Sequence, residues 1–183
     1  KKDERLSALD MDAIKSSDLD KIVPVFTKEC SIPPVMKDYI ALMARNVVRF
    51  IDTDLRLEQT ERINSYQAAF MASQELEGEF NFFVGISGEP EAVIEAASVF
   101  GREEFQAVDE DSLDAVSEFI NCNNGLYASK LSEEEIELEL LPPMMYTTQM
   151  KIQTDGPMYK IPMYISGKKL EMVICLEAKW QIM

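Results

Sequence analysis

DSLDAVSEFINCNNGLYASKLSEEEIELELLPP, residues 111–143, decides how the rest of the chain is read. On a helix each residue advances about 100°, so Asp114, Glu118, Asn121 and Gly125 fall within an arc of roughly 60° and form one straight stripe. Val116, Phe119, Ile120, Tyr127 and Leu131 gather on the opposite side, which is the side a helix packs against a core. The spacing therefore predicts a helix whose polar stripe faces solvent. A carboxylate and a carboxamide three residues apart stand about 4.5 Å from each other along the axis, close enough to engage a single partner site. Gly125 costs a helix interior roughly 1 kcal/mol relative to alanine, so its place on this face, beside Ala128, reads as a point where another surface comes close. Spacing alone leaves a merely solvated stripe as the alternative. Beyond the helix, Ile136, Leu138 and Leu140 alternate with Glu135, Glu137 and Glu139, the period of a half-buried strand, and the glutamate run is its solvated face.

Upstream, Met36, Ile40, Met43, Val47 and Phe50 recur at three and four residues behind Pro33 and Pro34, which predicts an amphipathic helix of about four turns. SYQAAFMASQ and EFNFFVGIS, separated by LEG, read as a hairpin with Phe80, Phe82, Val84 and Ile86 on one face. A helix follows from Pro90 to about Phe100, with Val93, Ile94 and Ala97 on its apolar face, acids in its first turn and Gly101 as its stop. The glycines at 85 and 88 flank a serine, but the stretch lacks GxSxG spacing and any GKS or GKT ending, so a strand-to-helix turn is expected there. Downstream, MMYTTQMKIQ, MYKIPMYIS and KLEMVICLE are three further strand candidates with turns at DGP and SGKK. Pro162 pushes its strand toward an edge or a bulge. Ahead of Pro34, a charged stretch predicts at most a short helix, and KIVPVF is an apolar run broken by Pro24.

The chain has 183 residues, enough for one substantial core. Acidic residues outnumber basic ones 33 to 18, for a formal charge of -15. Such a surface repels nucleic-acid phosphates and anionic membranes, so neither is an expected partner. There is no histidine, which removes histidine bases, His–Asp triads and histidine-ligated zinc. Cys30, Cys122 and Cys175 have no CxxC spacing, so neither a zinc ribbon nor a disulfide framework is indicated and a reducing cytoplasm is the expected compartment. No apolar run is long enough for a membrane span, and the opening KKDERLSALD is too polar for a signal peptide. The missing initiator methionine suggests a trimmed or partial chain.

Asp114, Glu118 and Asn121, followed after about twenty residues by Pro142 and Pro143, resemble the signature of the CheC, CheX and FliY phosphatases of bacterial chemotaxis. CheC-type members carry a second copy of the motif on the first helix. Here Asn46 is preceded by Met43 and Tyr39 in place of the acids, so the chain resembles the single-site CheX type. Glu61 and Asn64 repeat the short spacing, but Leu57 fills the acidic place and strand residues follow. The resemblance runs from about Pro34 to the C-terminus. It implies an α+β fold: an antiparallel or mixed sheet of about five or six strands, two long helices packed against it, and a pseudo-repeat of helix followed by strands. Residues 34–183 would form the CheX-like domain, and residues 1–33 an N-terminal extension of unassigned role.

The implied function is hydrolysis of the phospho-aspartate of a CheY-like response regulator. Asn121 would orient the attacking water and Glu118 would anchor to the regulator's lysine. Asp114, Gly125 and Ala128 would meet the partner surface. No cofactor of its own is implied, since Mg²⁺ sits on the regulator. A homodimer and a CheD-like regulator are further implied partners, with the KLEMVICLE strand as the edge where two copies would pair. The alternative is a noncatalytic regulator-binding module related to the flagellar switch proteins.

Overall fold

The computed structural model describes residues 6–177 and 179–183, so the first five residues of the charged opening lie outside the described residues. The remainder of that opening forms α1 (Ala8–Lys15), capped at Ser7 by a reciprocal pair of hydrogen bonds with Asp10. KIVPVF is helical rather than broken: α2 (Leu19–Thr27) runs through Pro24, starts on the Asp18 side chain and buries Val23 and Val25. α3 (Pro34–Phe50) begins with proline at its first position, where the missing N–H has no helical acceptor to lose.

The strands β1 (Arg56–Leu57), β2 (Glu61–Ala68), β3 (Met71–Gly78) and β4 (Phe82–Gly88) follow. The expected hairpin is β3 with β4, in register from Ala72 opposite Ile86 to Leu76 opposite Phe82. SYQAAFMASQ is two strands rather than one, since the chain bends at Ala69 and Phe70 and its first half pairs elsewhere. The strand-to-helix turn after β4 falls where expected. Gly88, at φ +149°, lets the Lys169 carbonyl come within 2.5 Å of where a Cβ would stand. α4 (Pro90–Gly101) ends on Arg102, which takes the left-handed conformation in place of Gly101. α5 (Glu110–Ser132) is the longest helix described.

After α5 come β5 (Leu138–Leu140), β6 (Met144–Tyr146), β7 (Met150–Ile165), β8 (Lys168–Leu176) and β9 (Trp180–Ile182). MMYTTQMKIQ therefore divides between β6 and β7, which have different partners. DGP is no turn: β7 passes straight through it. Ile63 pairs with Met158 and Ser65 with Gln153, so residues 154–157 bulge out opposite Asn64 alone. Pro162 sits on an interior strand, with β8 on one side and, on the other, the gap where β1 has ended and β2 has not begun. A proline's missing donor is harmless in such a gap, and its carbonyl still accepts from the Glu58 N–H at 3.0 Å.

The pairings recorded are all antiparallel, and the sheet runs β1-β7-β8-β4-β3-β5, with β2 and β9 also on β7 and β6 also on β3. It is six strand positions wide, because β1 and β2 share one flank and β5 and β6 the other. β8 is interior, flanked by β4 and β7, so KLEMVICLE is not a free edge. Alternation sends Phe82, Val84, Ile86, Met172 and Ile174 toward the helices, in one core with Met36, Ile40, Val93, Val116 and Ile120. Met71, Phe83, Ile152, Val173 and Cys175 form a second cluster on the other face. Tyr39 and Tyr127 meet edge to face, with ring centroids 5.0 Å apart, over Phe82 of β4. Their contact fixes α3 against α5.

Candidate functional site

The site is built on α5. Asp109 caps its first turn, accepting from the Ser112 N–H at 2.9 Å while its own N–H donates to Ser112 Oγ at 2.9 Å. The Ser112 backbone bond holds the Asp109 carboxyl below the usual carboxylate range. Leu113, Val116, Phe119, Ile120, Tyr127 and Leu131 are buried, and that packing turns the opposite side outward.

The five residues singled out by sequence share that outward side. Asp114 and Glu118 are exposed, while Asn121, Gly125 and Ala128 are half-buried. A Cβ at Gly125 would meet nothing within 4 Å among the described residues outside its own helix turn, so the face there is open to an outside surface. The first helix has no such ridge: Tyr39, Met43 and Asn46 are buried, and Asn46 Nδ2 donates to Asn123 Oδ1 at 2.7 Å. Glu61 and Asn64 lie on β2, Asn64 opposite the β7 bulge, and Glu61 pairs with Lys160 at 2.9 Å. Among the described residues no cluster of three histidine, cysteine, aspartate or glutamate side chains is placed to hold a metal ion.

Sequence reasoning missed what stands behind Asn121. Gln74 of β3 is 1% exposed and lies between Ala72 and Leu76 on the helix-facing side of the strand. Its Nε2 donates to Asn121 Oδ1 at 2.8 Å and to the Leu141 carbonyl at 2.8 Å. Its Oε1 accepts from Asn124 Nδ2 at 2.8 Å, and Asn124 Oδ1 accepts from the Tyr39 hydroxyl at 2.6 Å. Burial raises the Tyr39 phenol above its ordinary value, so it remains a donor. Leu141 precedes Pro142 in the break between β5 and β6, and its N–H is bonded to the Glu75 carbonyl at 2.9 Å. Leu141, the residue before the motif's distant proline pair, thus shares one glutamine with Asn121. The signal for this was present in the sequence: a glutamine on the inward phase of an otherwise apolar strand.

A helix-backed antiparallel sheet of this kind is a fold also found in CheX, CheC-like and FliM middle-domain structures. The family model for chemotaxis phosphatase CheX matches residues 70–177, from the start of β3 to the end of β8, and the chain belongs to the CheX family of chemotaxis phosphatases. A crystal structure of a CheX from Desulfovibrio desulfuricans is similar at TM-score 0.66 and 18% identity, covering 79% of this chain and 100% of that one. A CheX in complex with CheY, BeF3 and Mg²⁺ from Borrelia burgdorferi is similar at TM-score 0.59 and 14% identity, covering 78% of this chain and 97% of the other. The FliM middle domain of H. pylori is similar at TM-score 0.50 and 11% identity, covering 78% and 90%. At these identities the likeness is one of fold. No curated protein matches the sequence.

Proposed function

We propose that this chain hydrolyses the phospho-aspartate of a CheY-like response regulator, with Asn121 orienting the attacking water and Glu118 anchoring to the lysine of the regulator's active site. The observation that carries the reading is the joint placement of Glu118 and Asn121 on the open face of α5, with Asn121 bonded inward through its oxygen only. An acyl phosphate is already reactive, and Mg²⁺ belongs to the regulator, so this chain has only to place a water in line with phosphorus. Water oxygen bonds to phosphorus as the bond from phosphorus to the aspartyl oxygen breaks, releasing phosphate and the carboxylate. A carboxamide both donates and accepts without titrating, which suits it to hold that water in a chain that lacks histidine. Asp114, Gly125 and Ala128 complete the surface presented to the regulator, and the uncovered Gly125 leaves room for a close approach. A homodimer belongs to the same reading, with its mass in solution as the check; the interior position of β8 moves any strand pairing between copies to another edge.

The test is the lifetime of a phosphorylated receiver domain with a substoichiometric amount of this protein, which shortens it. Asn121→Ala lowers the hydrolysis rate about 10²-fold, the scale on which one positioned polar group acts, and leaves regulator binding intact. Glu118→Ala weakens both. Equal rates for wild type and Asn121→Ala would remove the assigned role. The fold likeness to the FliM middle domain favours one other reading, a noncatalytic regulator-binding module. Such a module leaves the phosphoryl lifetime unchanged or lengthens it.

A further inference from the structure

We propose that Gln74 is a positioning residue that fixes which way round the Asn121 carboxamide is presented, a conclusion that rests on the phosphatase reading for its catalytic consequence. The two ends of a carboxamide are nearly the same shape, so an amide on an open helix face has no intrinsic reason to prefer one orientation over its flip. Here one backbone atom decides. The Leu141 carbonyl can only accept, so the group of Gln74 that lies 2.8 Å from it is the NH2. The same nitrogen lies 2.8 Å from Asn121, and the atom of Asn121 that meets it is therefore the oxygen. Gln74 Oε1 is left to accept from Asn124, and Asn124 Oδ1 from Tyr39. Each orientation in the chain follows from the one before.

The consequence falls on the reacting face. Both Nε2 protons of Gln74 are engaged, so it has none to offer a flipped Asn121 in any other arrangement. A flipped Asn121 would set NH2 against NH2, leaving two donors opposed in a largely buried place. Asn121 Nδ2 therefore points away from the protein as a donor. Its oxygen keeps one lone pair for the water's proton, the other being held by Gln74. Gln74 itself is buried and touches neither water nor phosphoryl group, so it acts through Asn121 alone.

Two measurements test this. In the wild-type protein, side-chain amide exchange followed by NMR shows slow exchange of the Gln74 Nε2 protons and fast exchange of the Asn121 Nδ2 protons; the reverse order overturns the proposal without any variant being made. In kinetics, Gln74→Met, which keeps length and loses both donors, lowers kcat about tenfold at unchanged KM, as a misplaced group does. In an Asn121→Ala background the same substitution changes kcat by less than about twofold, because a residue that works through another has nothing left to position. Fully additive effects, or wild-type kcat in folded Gln74→Met, sink the idea. If the wild-type protein leaves the phosphorylated regulator's lifetime untouched, the phosphatase reading fails, and the exchange order still decides how Asn121 is held.

Discussion

Asn121 is half-buried on the α5 surface with an internal partner behind it, and the residues there divide into those that hold the protein together and those that aim the amide. Tyr39 belongs to the first group. Its hydroxyl donates to Asn124 Oδ1 in a fully buried place, so Tyr39→Phe strands a buried acceptor and costs about 1–3 kcal/mol of stability. The orientation of Gln74 is set from its other end by the Leu141 carbonyl, so kcat for Tyr39→Phe stays near wild type while the thermal midpoint falls. A parallel loss of kcat would show that the aim of Asn121 depends on the whole chain of bonds rather than on its outer link. The same division explains what the sequence allowed to be read. Asp114, Glu118 and Asn121 share a face because helical periodicity is local, and residues a turn apart are neighbours whatever the rest of the chain does. Gln74 and Asn121 are 47 residues apart, and only the packing of α5 on β3 brings them together.

Among the elements, α4 is fastened to the turn between β7 and β8 by one acid. Glu95 accepts from Lys168 Nζ at 2.6 Å and from Ser166 Oγ at 3.0 Å, and these bonds, the lysine's first, hold its carboxyl below the ordinary value of 4.5. A carboxyl whose folded value is depressed adds stability that is fully present above its unfolded value and is lost as pH falls through the folded one. With about a third of each side chain exposed, the pair is worth at most about 1 kcal/mol. Glu95→Gln should therefore melt below wild type at neutral pH, and the gap should close as the pH falls through the depressed folded value of the wild-type carboxyl. A gap that persists undiminished in acid would mean that Glu95 acts through packing instead. The strands on either side of this turn mark where local reading stopped. DGP and Pro162 carry turn and edge chemistry, yet both lie within β7, because a bulge absorbs the first and a gap in the partner strand excuses the second. Both depend on how β7 pairs with its neighbours, which no local pattern records. The β3–β4 hairpin and the long α3 and α5 were legible for the opposite reason, since alternation or helical spacing within each stretch was enough.

On the scale of the whole molecule, the open question is how the segment ahead of Pro34 relates to the rest. Its two short helices were hard to read because α1 buries no residue and α2 carries a proline inside. Once folded, the segment is tied in: Val23 and Ile32 join the main core, the Phe26 carbonyl accepts from Thr60 N–H at 2.8 Å, and the Ser31 carbonyl accepts from the Tyr159 hydroxyl at 2.9 Å. Against this, the CheX family model matches residues 70–177, all of them beyond this segment. These facts together predict that residues 34–183 fold alone but less stably. Val23, Val25 and Ile32 each contribute about 1.5–3 kcal/mol of burial, offset by the cost of ordering the residues that carry them. The freed Thr60 and Tyr159 groups would gain water, so their lost bonds add little. A chain beginning at Pro34 should thus melt at a lower temperature than the full one, while its hydrolysis rate at low temperature is kept, because α5, Gln74 and Leu141 all lie outside the removed part. If the midpoint does not move, the segment is only laid on the surface; if the shortened chain cannot fold, α2 is as much a part of the domain as α3.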